Sequence, residues 1–315
     1  MVYESYTATN VGRVRNNNED NFYVNGIYKI DTEQRNKAVQ NTGINTRNLY
    51  AVCDGMGGEE FGEKASFIGV STLAEYQGED FNSLLNDYVE KANRKICDLI
   101  NENNGGRSGT TFAALYIEND RAKAYNVGDS RVYMLRQGRL KQLSVDHTRI
   151  QQLLNMGLIT PEKAKTHKDR HVITQHLGIF PNEMILSPHA SEEIILQNND
   201  VFLLCSDGLT DMLSDEQIEQ IMSEQKDVKK CVESLIVNAL ANGGKDNVTA
   251  QVIRCVKPKV SKRFLLFDNM TKRSKLQKKR SRFFRKTDID ESTWKYITNE
   301  KLHVYAMARL PKPVI

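Results

Sequence analysis

The sequence is short of several features, and each shortage removes a class of protein. It has five cysteines in 315 residues, Cys53, Cys97, Cys205, Cys231 and Cys255, with no CxxC pair among them. An odd count without paired spacing argues against a disulfide framework and for reduced thiols. No apolar run approaches eighteen residues, so no segment reads as a membrane-spanning helix. The first ten residues, MVYESYTATN, hold no apolar signal core, which predicts a cytoplasmic protein. GxGxxG, the P-loop and the GxSxG nucleophile elbow are all missing. The chain is 39% hydrophobic and 27% charged, a globular composition that excludes a collagen or a wholly disordered protein.

The net charge of +4 conceals an asymmetry. Residues 257–315 carry 17 Lys+Arg against 5 Asp+Glu, leaving 27 basic and 35 acidic residues in 1–256. An acidic body is thus followed by a basic extension, with the boundary near Lys257-Pro258. Its densest part, 272–286 (KRSKLQKKRSRFFRK), has nine cations and no acid. Such a block repels itself and is not expected to fold alone. Read as a solvated linker, the extension ends in a small packed element at 293–309, which holds the single tryptophan, Trp294.

Within the body, strands are expected at 1–9, 22–30, 48–53, 111–118, 121–127, 131–136, 201–205 and 247–256. Hairpin turns are expected at Glu118-Asn119-Asp120 and at Gln137-Gly138. Helical periodicity marks 83–102 and 227–242, and segments 60–76 and 147–157 also read as helices. Ser214-Asp215-Glu216-Gln217 has capping-box spacing and starts a helix through Met222. The strands are joined by short turns and the helices come in pairs. This pattern predicts antiparallel sheets with helices layered outside, an α+β fold rather than a doubly wound one.

Several apolar strands end in aspartate: Asp54-Gly55, Asp129-Ser130 and Asp207-Gly208. Asp246-Asn247 stands where another begins, and Glu19-Asp20 precedes a further one. One Asp-Gly alone is usually a turn. Several gathered at one sheet edge make an oxygen-lined pocket whose charge a hard divalent cation would neutralise, and Mg²⁺ or Mn²⁺ suits such ligands.

Taken in order, these pieces resemble the protein phosphatase 2C family of metal-dependent Ser/Thr phosphatases, in its bacterial form. The resemblance runs from about residue 4 to 256. It rests on Arg15-Asn-Asn-Asn-Glu-Asp20, Asp54-Gly-Met-Gly-Gly58 with Gly62-Glu63, Ser108-Gly-Thr-Thr111, Gly128-Asp-Ser-Arg131, Asp146-His-Thr148, Leu177-Gly178, Ser206-Asp-Gly-Leu209 and Lys245-Asp-Asn-Val-Thr249. Residues 159–165 resemble the family's mobile flap. The resemblance implies a four-layer α-β-β-α sandwich of two antiparallel sheets flanked by helices. It also implies that Asp54, Asp207 and Asp246, with the Gly55 carbonyl, hold two central Mg²⁺ or Mn²⁺ ions. Glu19 would reach a metal directly or through water, Asp129 would help form a third, weaker site, and Arg15 would bind phosphate.

Two metals sharing a water lower its pKa, and the hydroxide so formed attacks phosphorus in line, without a covalent intermediate. Cys53 and Cys205 are therefore read as core packing. Some relatives carry a histidine as general acid where this chain has Met56, and a thioether has no proton to give. Glu59-Glu60-Phe61 is a second departure and makes the rim more acidic. His167, His171 and His176 lack a matching set of zinc ligands, and His147 reads as a structural hydrogen-bonder.

The expected function is dephosphorylation of phosphoserine and phosphothreonine in proteins, opposing a Ser/Thr kinase. The alternative is a phosphatase-like regulatory protein that acts through its basic extension. That extension reads as a solvated linker, as an anchor to an anionic membrane surface through Phe283-Phe284, or as a nucleic-acid contact.

Overall fold

The computed structural model describes residues 1–257 apart from 32–33, 58–60, 104–105, 107 and 165. The expectations for Trp294, Phe283-Phe284, the cationic block 272–286 and Glu59-Glu60 lie outside the described residues.

The chain opens with β1 (Val2–Asn10), β2 (Asn21–Val24) and β3 (Ile27–Tyr28). β4 (Lys37–Gly43), β5 (Arg47–Cys53) and a short β6 (Gly55–Met56) follow. Two long helices come next, α1 (Gly62–Leu73) and α2 (Phe81–Glu102). Then come β7 (Gly109–Thr110), β8 (Phe112–Glu118), β9 (Arg121–Val127), β10 (Arg131–Arg136) and β11 (Arg139–Gln142). The short elements α3 (Arg149–Asn155), α4 (Pro161–Ala164), β12 (His189–Ala190) and β13 (Ile194–Ile195) lead to β14 (Val201–Cys205). Helices α5 (Asp207–Thr210), α6 (Asp215–Glu224) and α7 (Val228–Ala241) precede the last described strand, β15 (Val248–Val256).

One sheet has the order β11-β10-β14-β15-β1-β4, and the other β12-β9-β8-β5-β2-β3 with β13 also on β9. All their pairings are antiparallel. Helices α1 and α2 cover the outer face of the second sheet, where Phe81 and Tyr88 sit among Phe112, Tyr116 and Tyr125. Helices α5 to α7 cover the outer face of the first. The four layers expected from the resemblance are therefore present.

The layer between the sheets changes character along its length. At one end it is apolar, with Tyr3, Phe202, Ile253 and Cys255 facing Tyr50, Val52 and Leu115. At the other it is polar: Thr9 and Thr249 of the first sheet meet Asn18 and Asp20 of the loop before β2, and Gln251 donates to the Tyr23 carbonyl, all of them buried. Strand alternation carries both, since β1 places Tyr3, Ser5, Thr7 and Thr9 on one buried face.

The expected strand over 22–30 is a tight hairpin instead. Asn25 and Gly26 both have positive φ, 46° and 93°, which is the two-residue turn that Asn-Gly favours. β4 was not expected, because its polar sequence KAVQNTG lies on an edge with one face towards water. The hairpin turns at Asn119 and Gln137 stand where expected.

The capping box of α6 is formed on both sides, with Ser214 Oγ accepting from Gln217 N and Gln217 Oε1 accepting from Ser214 N. Ser214→Ala is expected to lower stability by about 1 kcal/mol. Chemical denaturation of the variant checks this.

Candidate active site

Three of the carboxylates stand where a strand ends, and a fourth where one begins. β5 is buried from Asn48 to Cys53, and the chain leaves it at Asp54. The Asp54 peptide is pinned on both sides: its N–H donates to Thr111 Oγ1 at 2.9 Å, and its carbonyl accepts from Thr111 N and Thr110 Oγ1, each at 2.9 Å. β14 ends at Cys205, Ser206 follows, and Asp207 opens α5. Asp246 stands just before β15, where its Oδ1 accepts from the Asn247 N–H at 2.8 Å. Asp129 follows β9, in a loop held by Arg131, whose Nε and Nη2 donate to Asp146 Oδ2 at 2.9 and 2.7 Å.

Close backbone approach joins these strand ends. A Cβ on Gly55 would overlap the Gly62 carbonyl and crowd the Glu19 carbonyl. A Cβ on Gly62 would overlap the Glu19 carboxylate, which lies over the start of α1. A Cβ on Gly208 would overlap the Asn247 carbonyl. The Asp-Gly and Gly-Glu pairs therefore mark places where two chain segments touch.

The acidic loop before β2 is tied from several directions. Glu19 N donates to Asn247 Oδ1 at 2.8 Å, and Ser66 Oγ donates to the Glu19 carbonyl. Asp20 is fully buried, and its Oδ2 accepts from Ser206 Oγ at 2.7 Å and Thr249 Oγ1 at 2.6 Å. Arg15 reaches in from the rim, its Nη2 2.8 Å from Asp246 Oδ2, with the side chain 55% exposed.

The electrostatics are those of negative charge crowded out of water. Burial, then the charges of Asp20, Asp207, Asp129 and Asp246, drives the Asp54 carboxyl well above its usual range. Asp207 is raised likewise by burial, then by Asp129, Asp211 and Asp246, while a hydrogen bond shared with Asp54 works the other way. Burial and Glu63 lift Glu19 to about 7. Burial and Asp146 lift Asp129 to about 7. Burial lifts Asp20 to about 6, against the hydrogen bonds from Thr249 and Ser206.

Hard oxygen donors make up this cluster, and two of them, Asp20 Oδ1 and Asp129 Oδ1, are buried without a hydrogen-bond partner. A hard divalent cation fits that donor set and would relieve the mutual repulsion. Among the described residues no three acidic, histidine or cysteine side chains are already drawn up around one metal position. Here the carboxylates share a field, and Asp54 and Asp207 share a hydrogen bond.

The family model described as "Protein phosphatase 2C" matches residues 13–152 and 167–248. The chain belongs to the protein phosphatase 2C family. Phosphatase PhpP of Streptococcus pneumoniae is 32% identical over 254 residues, 78% of this chain and 94% of that protein. The crystal structure of the Mycobacterium tuberculosis serine/threonine phosphatase PstP/Ppp superimposes with a TM-score of 0.69 at 32% identity, covering 82% of this chain and all of that one. A PstP catalytic domain solved with two manganese ions gives a TM-score of 0.66 at 32% identity, over 82% of this chain and all of that one. The chain is accordingly a serine/threonine phosphatase of the metal-dependent class. No helix of the described residues is long and apolar enough to cross a membrane.

The structure brings Arg15, Glu19, Asp54, Gly55, Asp207 and Asp246 to one end of the sandwich, with Asp129 beside Asp207. Sequence reasoning passed over Asp20, the most buried carboxylate of the set, although Glu19-Asp20 was visible as a pair. The apolar run that follows it, Phe22-Tyr23-Val24, was the available signal. It also passed over Asn247, which anchors the β1–β2 loop at three points, through Glu19 N, the Val11 carbonyl and the Asn17 carbonyl. His147 Nδ1 accepts from Gly128 N at 3.1 Å and so shapes the Asp129 loop. His167, His171 and His176 go separate ways, to Asp169 N, to Asp211 and to the Leu177 carbonyl. Cys53 and Cys205 are fully buried, and burial holds both thiols far above their ordinary values.

Two outcomes follow from this geometry. Gly208→Ala, which meets backbone, is expected to cost about 3 kcal/mol or more. Gly62→Ala meets a flexible side chain and is expected to cost less stability but to displace Glu19 and weaken Mn²⁺ binding. Thermal unfolding and a Mn²⁺ titration of both variants check this. The pH dependence has a definite sign. Carboxyls raised on folding favour the protonated native state, so their contribution is complete below their unfolded values of about 4. It is lost as pH rises towards the folded values of about 6 for Asp20 and about 7 for Glu19 and Asp129. Metal-free protein is therefore expected to lose thermal stability across that window, and Mn²⁺ to restore it with release of protons.

Proposed function

We propose that Asp54, Asp207 and Asp246, with the Gly55 carbonyl, hold two central Mg²⁺ or Mn²⁺ ions, and that Arg15 receives the phosphoryl group of a phosphoserine or phosphothreonine. Glu19 reaches a metal directly or through water, and Asp129 completes a third, weaker site. The observation that carries this reading is the crowding itself: Asp54 and Asp207 are half-buried, mutually repelling carboxylates at the meeting of two sheet ends. Bound divalent ions supply a water of lowered pKa and positive charge against the phosphoryl oxygens.

The chain's own residues do the rest. Arg15 presents a planar fork that suits phosphate oxygens and is held by Asp246 in the meantime. Its exposure lets it meet a substrate on the protein surface. Glycines at 55, 62 and 208 keep the carboxylates close-packed and dry on the protein side. Met56 is half-buried and carries no transferable proton, so the leaving alkoxide takes its proton from water.

The substrates are phosphorylated proteins, and the activity opposes that of a Ser/Thr kinase. Residues 1–256 form the catalytic domain and 257–315 a separate basic extension, which suits an anionic membrane surface or nucleic acid by its charge. Asp54→Asn and Asp207→Asn are each expected to reduce turnover of a phosphothreonine peptide at least a hundredfold while leaving the folded CD spectrum. Protein truncated after residue 257 is expected to keep full activity on that peptide. A truncated protein with no activity would assign the extension to catalysis.

A further inference from the structure

One fully buried cation lies beneath the acidic loop and has no part in the roles assigned above. Lys29, at the end of the β2–β3 hairpin, is 0% exposed. Its backbone is clamped by one side chain: Asn21 Oδ1 accepts from Lys29 N at 3.0 Å, and Asn21 Nδ2 donates to the Lys29 carbonyl at 2.9 Å. The ammonium therefore has a fixed base. Its Nζ donates to the Asn18 carbonyl at 2.7 Å. That carbonyl belongs to the peptide bond whose N–H is Glu19's, and the same N–H donates to Asn247 Oδ1. Four charged groups act on Lys29: Asp20 most strongly, then Glu63 and Asp31, against Lys37.

A buried lysine is costly unless it balances charge and meets acceptors. Lys29 does both at the peptide that aims Glu19, and Glu63, the second carboxylate acting on it, is the one that most strongly repels Glu19. We propose that Lys29 is a positioning residue for the metal-binding carboxylates: from the buried floor of the site it fixes the Asn18–Glu19 peptide and offsets the negative charge of Asp20 and Glu63. It touches neither substrate nor metal. The inference rests on the assignment of Glu19 and Asp54 to metal binding.

The test is calorimetric titration of Mn²⁺ into the full chain as wild type, Lys29→Met and Lys29→Arg, with kcat and KM on a phosphothreonine peptide. Loss of a group that orients metal ligands is expected to weaken Mn²⁺ affinity about tenfold. In Lys29→Met, kcat is expected to fall with KM unchanged, and Lys29→Arg, which keeps the charge, to retain more of both affinity and kcat. A Lys29→Met protein with wild-type affinity and kcat, whatever its melting temperature, overturns the proposal. Wild type that binds no Mn²⁺ overturns the underlying site assignment, and this proposal with it. If Lys29→Met does not fold, ¹⁵N-lysine spectra of the wild type decide. The Lys29 ammonium resonance is expected to shift saturably with Mg²⁺, and a resonance that stays in place contradicts the proposal.

Discussion

The structure is organised by the repulsion between carboxylates that the fold forces together. Four strand ends and one loop converge at one end of the sandwich, and each brings an acid. An ionised carboxylate removed from water costs several kcal/mol even after relaxation. Like charges nearby raise that cost further. At Asp54 and Asp207 burial and the neighbouring carboxylates push the carboxyl pKa well above its usual range. The same cost makes a hard divalent cation the natural occupant, and membership of a metal-dependent phosphatase family agrees with it.

The rest of the architecture serves that end. An apolar intersheet layer supplies the burial that holds the two sheets together. It gives way to threonines, asparagines and a glutamine as the acids are approached, because each buried polar atom there needs a partner. Asp20 shows the link most clearly, since its one carboxylate oxygen joins Ser206 after β14 to Thr249 on β15. Glycines let backbones touch where any side chain would hold them apart. The helices take no direct part beyond α1 and α5, whose first turns lie against Glu19 and carry Asp207.

Much of this was legible in the sequence, for physical reasons. Strands such as β5, β8 and β14 are short apolar runs closed by turn residues, and α2 and α7 carry a clean helical period. Asp54-Gly55 and Asp207-Gly208 stood out because the same acid-bearing turn recurs at several strand ends, where a single one would read as an ordinary turn. The ordered set of motifs then pointed to the family. The less legible features lack a local signature. β4 is a mostly polar edge strand with Val39 its one large apolar residue, and the Asn25-Gly26 hairpin was hidden inside one apolar-looking stretch. Asp20 and Asn247 act through contacts about 230 residues away in sequence. Lys29 reads as an ordinary surface lysine until the fold encloses it.

The measurement closest to the central claim is phosphate release from a phosphothreonine peptide by the purified chain, in EDTA, Mg²⁺ and Mn²⁺ side by side, with Asp54→Asn as the control. Turnover that requires Mg²⁺ or Mn²⁺ and disappears in Asp54→Asn is the predicted result. Turnover in EDTA, or an Asp54→Asn protein as active as the wild type, would contradict the claim that the crowded carboxylates are the catalytic centre.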